Sequence, residues 1–331
     1  MTQAAAENSL SARAAQGWSR LPAAYAIPPT APTLAEAREY CARLARSHYE
    51  NFSVASWFLP KRLRQHFFNV YAYCRISDDL GDEVGDTAAS LELLDQWHRE
   101  LGACYHGSPK HPVFVALAET VRQFDIPEHE FSDLLTAFRQ DQTITRFETF
   151  DKVLGYCHYS ANPVGHLVLY LCGYRDRERQ QLSDFTCTAL QLANFWQDVS
   201  VDYAKGRIYL PLEDLRRFGV SEGEIAHHQN TPAFCMMMKF EVERARDWFH
   251  QGLPLVGKVD RELAIDLDLF SRGGLEILNA IEKQGYAVLG NRPAISKTRK
   301  LALVGKAALD RLFGGTPGGK YGQTRSNGVP Q

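Results

Sequence analysis

The sequence has no excess of positive charge. Its 37 Lys and Arg residues are offset by 39 Asp and Glu residues, which gives a net charge of −2 and an isoelectric point near 6.6. Domains that bind nucleic acids usually carry a marked basic excess. No GxGxxG stretch follows a strand-like run either, and that motif is typical of dinucleotide-binding folds. We therefore expect no nucleic-acid partner and no requirement for NADPH or flavin.

Paired cysteines and a targeting segment are also lacking. The seven cysteines are odd in number, and no two of them have CxxC spacing. Residues 1–20 contain no continuous apolar stretch, which a secretory signal peptide would need. We expect reduced cysteines in a cytoplasmic protein.

Strict alternation of apolar and polar residues, the pattern of a half-buried strand, is nearly absent. Only Arg207–Pro211, with the sequence RIYLP, resembles a strand. Elsewhere apolar residues recur every three or four positions, as at Leu63, Phe67, Val70 and Cys74. This spacing is typical of amphipathic helices. We predict an all-α protein of about ten helices, with a central cavity between them.

The two ends of the sequence differ in composition from the middle. Residues 1–31 are rich in alanine and end in a proline-containing stretch, and residues 314–331 are rich in glycine and polar residues. Such segments bury little apolar surface. We predict disordered tails over 1–31 and 314–331, and one helical domain over 32–313.

One uncharged segment, Val153–Tyr174, is long enough to cross a bilayer. It contains His158, Asn162, Pro163 and His166 near its middle, and such groups are costly when they face lipid. We interpret the segment as a buried, kinked helix beside a cavity.

Two pairs of aspartates stand out within these helical segments. Asp78 and Asp82 are four residues apart in YCRISDDLGDE, and so are Asp198 and Asp202 in NFWQDVSVDYAKGRIYLP. Residues four apart lie on the same face of a helix. Asn194 lies one turn before Asp198 and extends that polar face.

A single DxxxD pair is usually just a solvated helix face. Two such pairs inside otherwise apolar helices are harder to explain, because burying carboxylates without a positive partner is costly. If the pairs face each other, four carboxylates converge on one volume. Oxygen ligands suit Mg²⁺, whose coordination is commonly completed by substrate phosphates. The pattern favours an enzyme that ionises a diphosphate ester.

The two Asp-containing segments resemble the paired motifs of the squalene and phytoene synthase family. The resemblance runs from about residue 42 to residue 303 and includes ENFSVASWFLP, SANPVGHLV and GYAVLGNRPAISKTRKLAL. It implies the isoprenoid synthase fold, Mg²⁺ as cofactor and a prenyl diphosphate as substrate.

The resemblance also implies residue roles. The metal would be held by five side chains: Asp78, Asp82, Asn194, Asp198 and Asp202. The diphosphate or the carbocation region would be contacted by Arg75, Asn51, Arg207 and Tyr209. Tyr209 would also belong to the catalytic residues.

The sequence departs from the members that condense two prenyl diphosphates. Where those carry a basic residue and serines, it has Tyr49, Glu50 and Asn51, and where they carry Arg before the second Asp motif it has Gln197. These departures resemble the bacterial hopanoid branch, which converts presqualene diphosphate and water to hydroxysqualene and diphosphate. We predict that Gln197 or Glu50 positions the water, since both can accept its hydrogen bonds.

Two alternatives remain open. The chain could be a head-to-head condensing enzyme that makes squalene or phytoene. It could also be a catalytically inactive scaffold in a lipid-synthesis complex, although the presence of all four aspartates argues against that.

The segment at residues 296–313 combines basic and apolar residues at helical spacing. Such a helix could lie on an anionic membrane surface, or it could pack on the core with a solvated basic face. The first interpretation would place the protein at the inner membrane surface, near other hopanoid-pathway enzymes.

Overall fold

The computed structural model describes residues 14, 17–47, 61–296, 298–299, 302–303 and 305–306. Within these residues the chain forms twelve α-helices and contains no β-strand longer than an isolated bridge. In chain order the helices are α1 (Leu34–Ser47), α2 (Arg64–Asp82), α3 (Thr87–His106), α4 (Pro112–Phe124), α5 (His129–Gln140), α6 (Phe150–Ser160), α7 (Asn162–Leu171), α8 (Arg177–Ala204), α9 (Leu212–Phe218), α10 (Glu222–Ala226), α11 (Pro232–Gly252) and α12 (Arg261–Lys283). The predicted all-α fold is confirmed.

Several of these helices begin at a side chain that caps the first turn. Asp86 accepts a hydrogen bond from the backbone of Ala89, and Asp176 caps α8 in the same way. Thr231 and Asp260 start α11 and α12. Each cap satisfies a backbone N–H that has no partner within the helix, and is worth roughly 1 kcal/mol. The caps fix where the helices begin, and thereby which faces they turn inward.

The helices bury two apolar cores. The first lies among α1 to α5 and contains the fully buried Trp97 and Phe114. The second lies among α6, α8, α9, α11 and the end of α12, with Trp196 and Phe249 fully buried. The two Asp-containing helices belong to different cores, since α2 lies in the first and α8 in the second. A cavity between the two cores can therefore receive both motifs.

The uncharged segment predicted as one kinked helix is two helices, α6 and α7, separated at Ala161. Pro163 lies in the first turn of α7, where its missing N–H is tolerated, whereas it would disrupt the interior of a continuous helix. Gly165 then lets α7 approach α8 closely: a Cβ at this position would lie 2.2 Å from Ser183 Oγ.

The strand-like RIYLP segment runs beside residues 145–148 and forms an isolated parallel bridge between Arg146 and Ile208. The backbone N–H of Ile208 donates to the carbonyl of Thr145 at 2.9 Å. Ile208 is buried in the core, and because side chains alternate along an extended chain, Arg207 and Tyr209 both point to the other side.

Residues 17–31 differ from the predicted disordered tail. Leu21 and Tyr25 are buried, and Tyr25 lies in a short 3₁₀ turn at residues 23–25. The Tyr25 hydroxyl donates to Asp79 Oδ2 on α2 at 2.8 Å. Burial of this tyrosine and its hydrogen bond hold the segment against the first core, a tertiary effect that composition does not reveal.

No helix among the described residues is long and apolar enough to cross a membrane. Most of the predicted basic helix at residues 296–313 lies outside the described residues, and so do the predicted tails at residues 1–13 and 314–331.

Candidate active site

The first aspartate pair lies at the carboxyl end of α2. Asp78 and Asp82 both face a cavity of ≈ 320 Å³ between the two cores. The opposite face of α2 is held in the first core by fully buried Ile76 and Leu80. Because those side chains fix the rotation of the helix, the two carboxylates are directed out of the core and into the cavity.

The second pair lies near the carboxyl end of α8. Five side chains at three- to four-residue spacing form a stripe along the same cavity, namely Gln191, Asn194, Phe195, Asp198 and Asp202. The other face of the helix is anchored by Trp196, whose indole N–H donates to the carbonyl of Glu241 at 3.1 Å. All five predicted metal ligands therefore line one cavity.

The carboxylates of the two pairs are not equivalent. Asp82 accepts hydrogen bonds from Arg207 at 2.9 Å and from Lys205 at 3.1 Å. Asp198 is held by the guanidinium of Arg292. Asp82 and Asp198 are thus each paired with a cation from another segment of the chain. Asp78 and Asp202 have no such ion pair among the described residues.

The pKa values of the aspartates reflect whether each one is paired with a cation. Burial and the neighbouring Asp82 raise the pKa of Asp78 to about 6. Burial and Asp198 raise the pKa of Asp202 to about 7. Burial also acts on Asp82, but Arg207 and Lys205 outweigh it and lower the pKa of that carboxyl. A cation at Asp78 and Asp202 would relieve the repulsion.

The donor set fits a hard divalent cation that retains some of its water. Four carboxylates and the Asn194 carbonyl line the cavity, and these are the ligand types that Mg²⁺ prefers. Among the described residues no three Asp, Glu, His or Cys side chains are already arranged as a closed ion site. Mg²⁺ needs no such cage, because it is commonly bound by one or two carboxylates together with phosphate oxygens.

A fifth carboxylate, Asp141, lies on the cavity wall just after α5 and was not predicted from the sequence. Its two oxygens accept hydrogen bonds from Tyr156 at 2.8 Å and Tyr209 at 3.2 Å. Burial raises its pKa to about 6, although Arg207 opposes the shift. An acidic residue at the carboxyl end of a helix is destabilised by the helix dipole, and this unfavourable position could have indicated a functional role for Asp141.

The ring of Tyr209 also packs against two other aromatic side chains. The ring lies flat on Phe195, with centroids 3.9 Å apart and an interplanar angle of 6°. On another side it stacks on Phe147 at 5.5 Å. The predicted residues Arg207 and Tyr209 are therefore both at the cavity, positioned by the bridge at Ile208 that separates them.

Arg75 interacts with an aspartate that is not part of either Asp pair. It lies one turn before Asp78, but its guanidinium forms a two-point hydrogen-bonded pair with Asp79, the carboxylate that also accepts from Tyr25. The distance from its Nη1 to Asp78 is 3.8 Å. Arg75 is therefore not one of the described residues that line the cavity.

The family model for squalene/phytoene synthase matches residues 45–299. The chain belongs to the squalene/phytoene synthase family. It is therefore an enzyme of the type that acts on prenyl diphosphates. The matched segment includes every described side chain of the Asp-lined cavity.

Individual members of the family resemble the chain over most of its length. The 15-cis-phytoene synthase of Synechocystis sp. is 30% identical over 281 residues, which cover 80% of this chain and 82% of the relative. The crystal structure of squalene synthase HpnC from Alicyclobacillus acidocaldarius is 42% identical, has a TM-score of 0.74, and covers 82% of this chain and 98% of its own. A dehydrosqualene synthase solved with a ligand is 29% identical, with a TM-score of 0.75 and coverages of 83% and 96%.

Gln197, the residue that differs from the condensing members of the family, does not line the cavity. A helix turns about 100° per residue, so the neighbour of a cavity-facing aspartate points elsewhere. The Gln197 amide donates to the carbonyl of Pro293 at 2.6 Å, and its oxygen accepts from Arg292 at 3.0 Å. This placement contradicts the predicted contact between Gln197 and a reacting water. Gln197 instead holds the segment that carries Arg292.

Two other predicted residues, Glu50 and Asn51, lie outside the described residues, as does the rest of the ENFSVASWFLP motif of this family. Their assignments as a catalytic residue and a substrate-binding residue stay predictions. Side chains that sequence reasoning missed and the structure brings to the cavity are Asp141, Tyr156, Ser160 and Gln191.

Proposed function

We propose that this enzyme converts presqualene diphosphate and water to hydroxysqualene and diphosphate, with Mg²⁺ as cofactor. The observation that carries the proposal is the composition of the cavity wall. Beyond the metal-binding residues, the wall holds Ser160 and Gln191, which have no hydrogen-bond partner among the described residues. An enzyme that only rearranges or reduces a carbocation gains from an apolar wall, whereas one that admits water needs polar groups to hold it.

Mg²⁺ would be held by Asp78 and Asp82 on one wall and by Asn194, Asp198 and Asp202 on the other. It would supply positive charge that stabilises the departing diphosphate. The residues fit this role because Asp78 and Asp202 face the cavity without a full cationic partner and have raised pKa values.

The cations that contact Asp82 and Asp198 can also bind the substrate. Arg207 and Lys205 contact Asp82, and Arg292 contacts Asp198. If Asp82 and Asp198 bound a metal ion, these cations would lie beside the diphosphate of the substrate, which carries up to three negative charges, and could bind its oxygens. Arg is well suited to this, since its planar guanidinium matches phosphate oxygens at two points.

The reacting carbon needs a surface that tolerates positive charge without attacking it. Phe195 and Tyr209 present stacked rings at the cavity, and Phe138 lies on the same wall. Aromatic faces attract cations and offer no nucleophile. These rings would shield the carbocation after the C–O bond breaks, with the bonding electron pair leaving on the diphosphate oxygen.

The proposal is tested by supplying three substrates separately to the purified enzyme with Mg²⁺: presqualene diphosphate, farnesyl diphosphate and geranylgeranyl diphosphate. Presqualene diphosphate should give hydroxysqualene at an equal rate with and without NADPH. Formation of squalene only in the presence of NADPH would contradict the proposal, and so would a failure to turn over presqualene diphosphate.

A second candidate is head-to-head condensation of two prenyl diphosphates. It is favoured by the resemblance to phytoene synthases, which reaches 30% identity over four fifths of this chain. The same experiment separates the two functions, because condensation would consume farnesyl or geranylgeranyl diphosphate and release one or two diphosphates per C–C bond formed.

A further inference from the structure

Ser160 is the last residue of α6, and it forms part of the cavity wall. The hydroxyl oxygen is buried and has no hydrogen-bond partner among the described residues. Leaving a buried polar group unpaired costs about 1–3 kcal/mol. A group that is kept at such a cost in an active-site wall is usually paired when a ligand is present.

Two other buried hydroxyls of the chain find partners within the protein, whereas that of Ser90 on α3, which is remote from the cavity wall, has none among the described residues. Ser77, in the interior of α2, donates to the carbonyl of Tyr73 at 2.8 Å. Thr188, which lies near the junction of α6 and α7, donates to Asn162 at 3.1 Å. Ser160 makes neither type of bond, although it lies on the wall of the cavity.

Gln191 faces the same cavity from α8 and also has no hydrogen-bond partner among the described residues. It precedes Asp198 by seven residues, which places it about 10 Å along the helix from that carboxylate. The two unpartnered groups thus lie on α6 and α8, and Gln191 is one helical turn before Asn194, the first metal-binding residue of α8.

We propose that Ser160 and Gln191 bind the water molecule that captures the carbocation. This inference rests on the proposed function and names its water-positioning residues. The Ser160 hydroxyl can donate to or accept from a water, and the Gln191 carbonyl can accept one of its hydrogens. A water held by both its hydrogens keeps a lone pair free for the cation.

The chemistry balances without any further reactant. The C–O bond of presqualene diphosphate breaks, and its electron pair leaves with the diphosphate. After rearrangement of the cation, the lone pair of the bound water forms a new C–O bond. The resulting oxonium loses one proton, which passes through the solvent of the open cavity to the released diphosphate. The products are one tertiary or secondary alcohol and one protonated diphosphate.

The experiment measures which fraction of the carbocation is captured by water and which fraction forms hydrocarbons. Wild type, Ser160→Ala and Gln191→Met are incubated with presqualene diphosphate and Mg²⁺ in ¹⁸O-water, and the ratio of ¹⁸O-labelled alcohol to hydrocarbon products is determined. Loss of one hydrogen bond to the water should lower this ratio roughly three- to tenfold. Diphosphate release should fall much less, because neither residue belongs to the predicted metal-binding set.

The matched control is Thr188→Ala, which removes a buried hydroxyl at the same helix junction but outside the cavity wall, and should leave the ratio unchanged. If Ser160→Ala fails to fold, Ser160→Cys decides, since a thiol is a near-isosteric but weak hydrogen-bonding group. An unchanged ratio in the folded Ser160 and Gln191 variants would overturn the inference while the proposed function stands. Absence of labelled alcohol from wild type would instead overturn the proposed function itself.

Discussion

Arg292 and Asp198 form an ion pair through two atoms of the guanidinium, although 94 residues separate them in the sequence. The Nη2 atom of Arg292 lies 3.0 Å from Asp198 Oδ2 and also donates to Gln197. Across the cavity, Arg207 donates to one oxygen of Asp82 and Lys205 to the other. A guanidinium therefore contacts one carboxylate of each Asp pair, and would compete there with a metal ion.

Competition between this guanidinium and a metal ion gives the first prediction. Arg292→Ala should tighten Mg²⁺ binding to the substrate-free protein by roughly three- to tenfold, because a partly exposed ion pair of this kind is worth about 1 kcal/mol. Arg292→Lys keeps the charge and should change the affinity less. Calorimetric titration of both variants checks this, and weaker binding by Arg292→Ala would contradict it.

The second prediction concerns the aspartates themselves. Asp82→Ala and Asp202→Ala should each reduce turnover by at least about a hundredfold, since loss of charge stabilisation at a leaving group has effects of that size. Asp95→Ala, which removes an exposed carboxylate paired with Arg139, is the control and should retain activity. Circular dichroism and thermal unfolding establish that each variant is folded. Near-normal rates in both site variants would refute the assignment.

Much of this site could be predicted from local sequence. The DxxxD spacing placed Asp78 with Asp82 and Asp198 with Asp202, because helical periodicity decides which side chains share a face. The same periodicity shows why Gln197 could not share the face of Asp198. The hydrogen-bonding capacity of Gln197 is compatible with a bound water, but it does not indicate the direction in which the side chain points.

Other features depend on contacts that the sequence does not display. Asp141 acquires its role from Tyr156 and Tyr209, which lie 15 and 68 residues away. Ser160 reaches the cavity because α6 ends there, at a break that Pro163 favours but does not locate. The burial of Tyr25 depends on a hydrogen bond to Asp79. In each case tertiary packing overrides local composition.

The third prediction separates the two contacts of Tyr209. Tyr209→Phe keeps the ring on Phe195 but loses the bond to Asp141, and should lower the free energy of unfolding by about 1–2 kcal/mol. Tyr209→Leu also loses the stack and should cost a further 1 kcal/mol or so. Urea denaturation of both variants measures these values. Equal stability of the Phe variant and wild type would show that the hydrogen bond contributes nothing.

The fourth prediction follows from His166 on α7. Its Nδ1 lies 2.9 Å from Glu130 on α5, and its Nε2 lies 2.7 Å from Asp184 on α8. Both ring nitrogens can donate only in the charged form. Although burial opposes the charge, the hydrogen bonds to Asp184 and Glu130 outweigh it and raise the pKa of His166 to about 9.

Because the folded-state pKa lies above the ordinary value of about 6.5, the stabilisation is complete below that pH. It should be lost as the pH rises towards 9. His166→Gln should therefore be less stable than wild type near pH 6, by roughly 1–3 kcal/mol, and the difference should shrink by pH 9. His106→Gln, at the exposed end of α3, is the control. A difference that stays constant with pH would show that the charge of His166 is not involved.

The most direct test of the proposed reaction is a single-turnover incubation of excess enzyme with presqualene diphosphate and Mg²⁺ in ¹⁸O-water, without NADPH. We predict hydroxysqualene with one ¹⁸O atom per molecule, formed together with one equivalent of unlabelled diphosphate. Presqualene diphosphate left intact, or a product without ¹⁸O, would contradict the account.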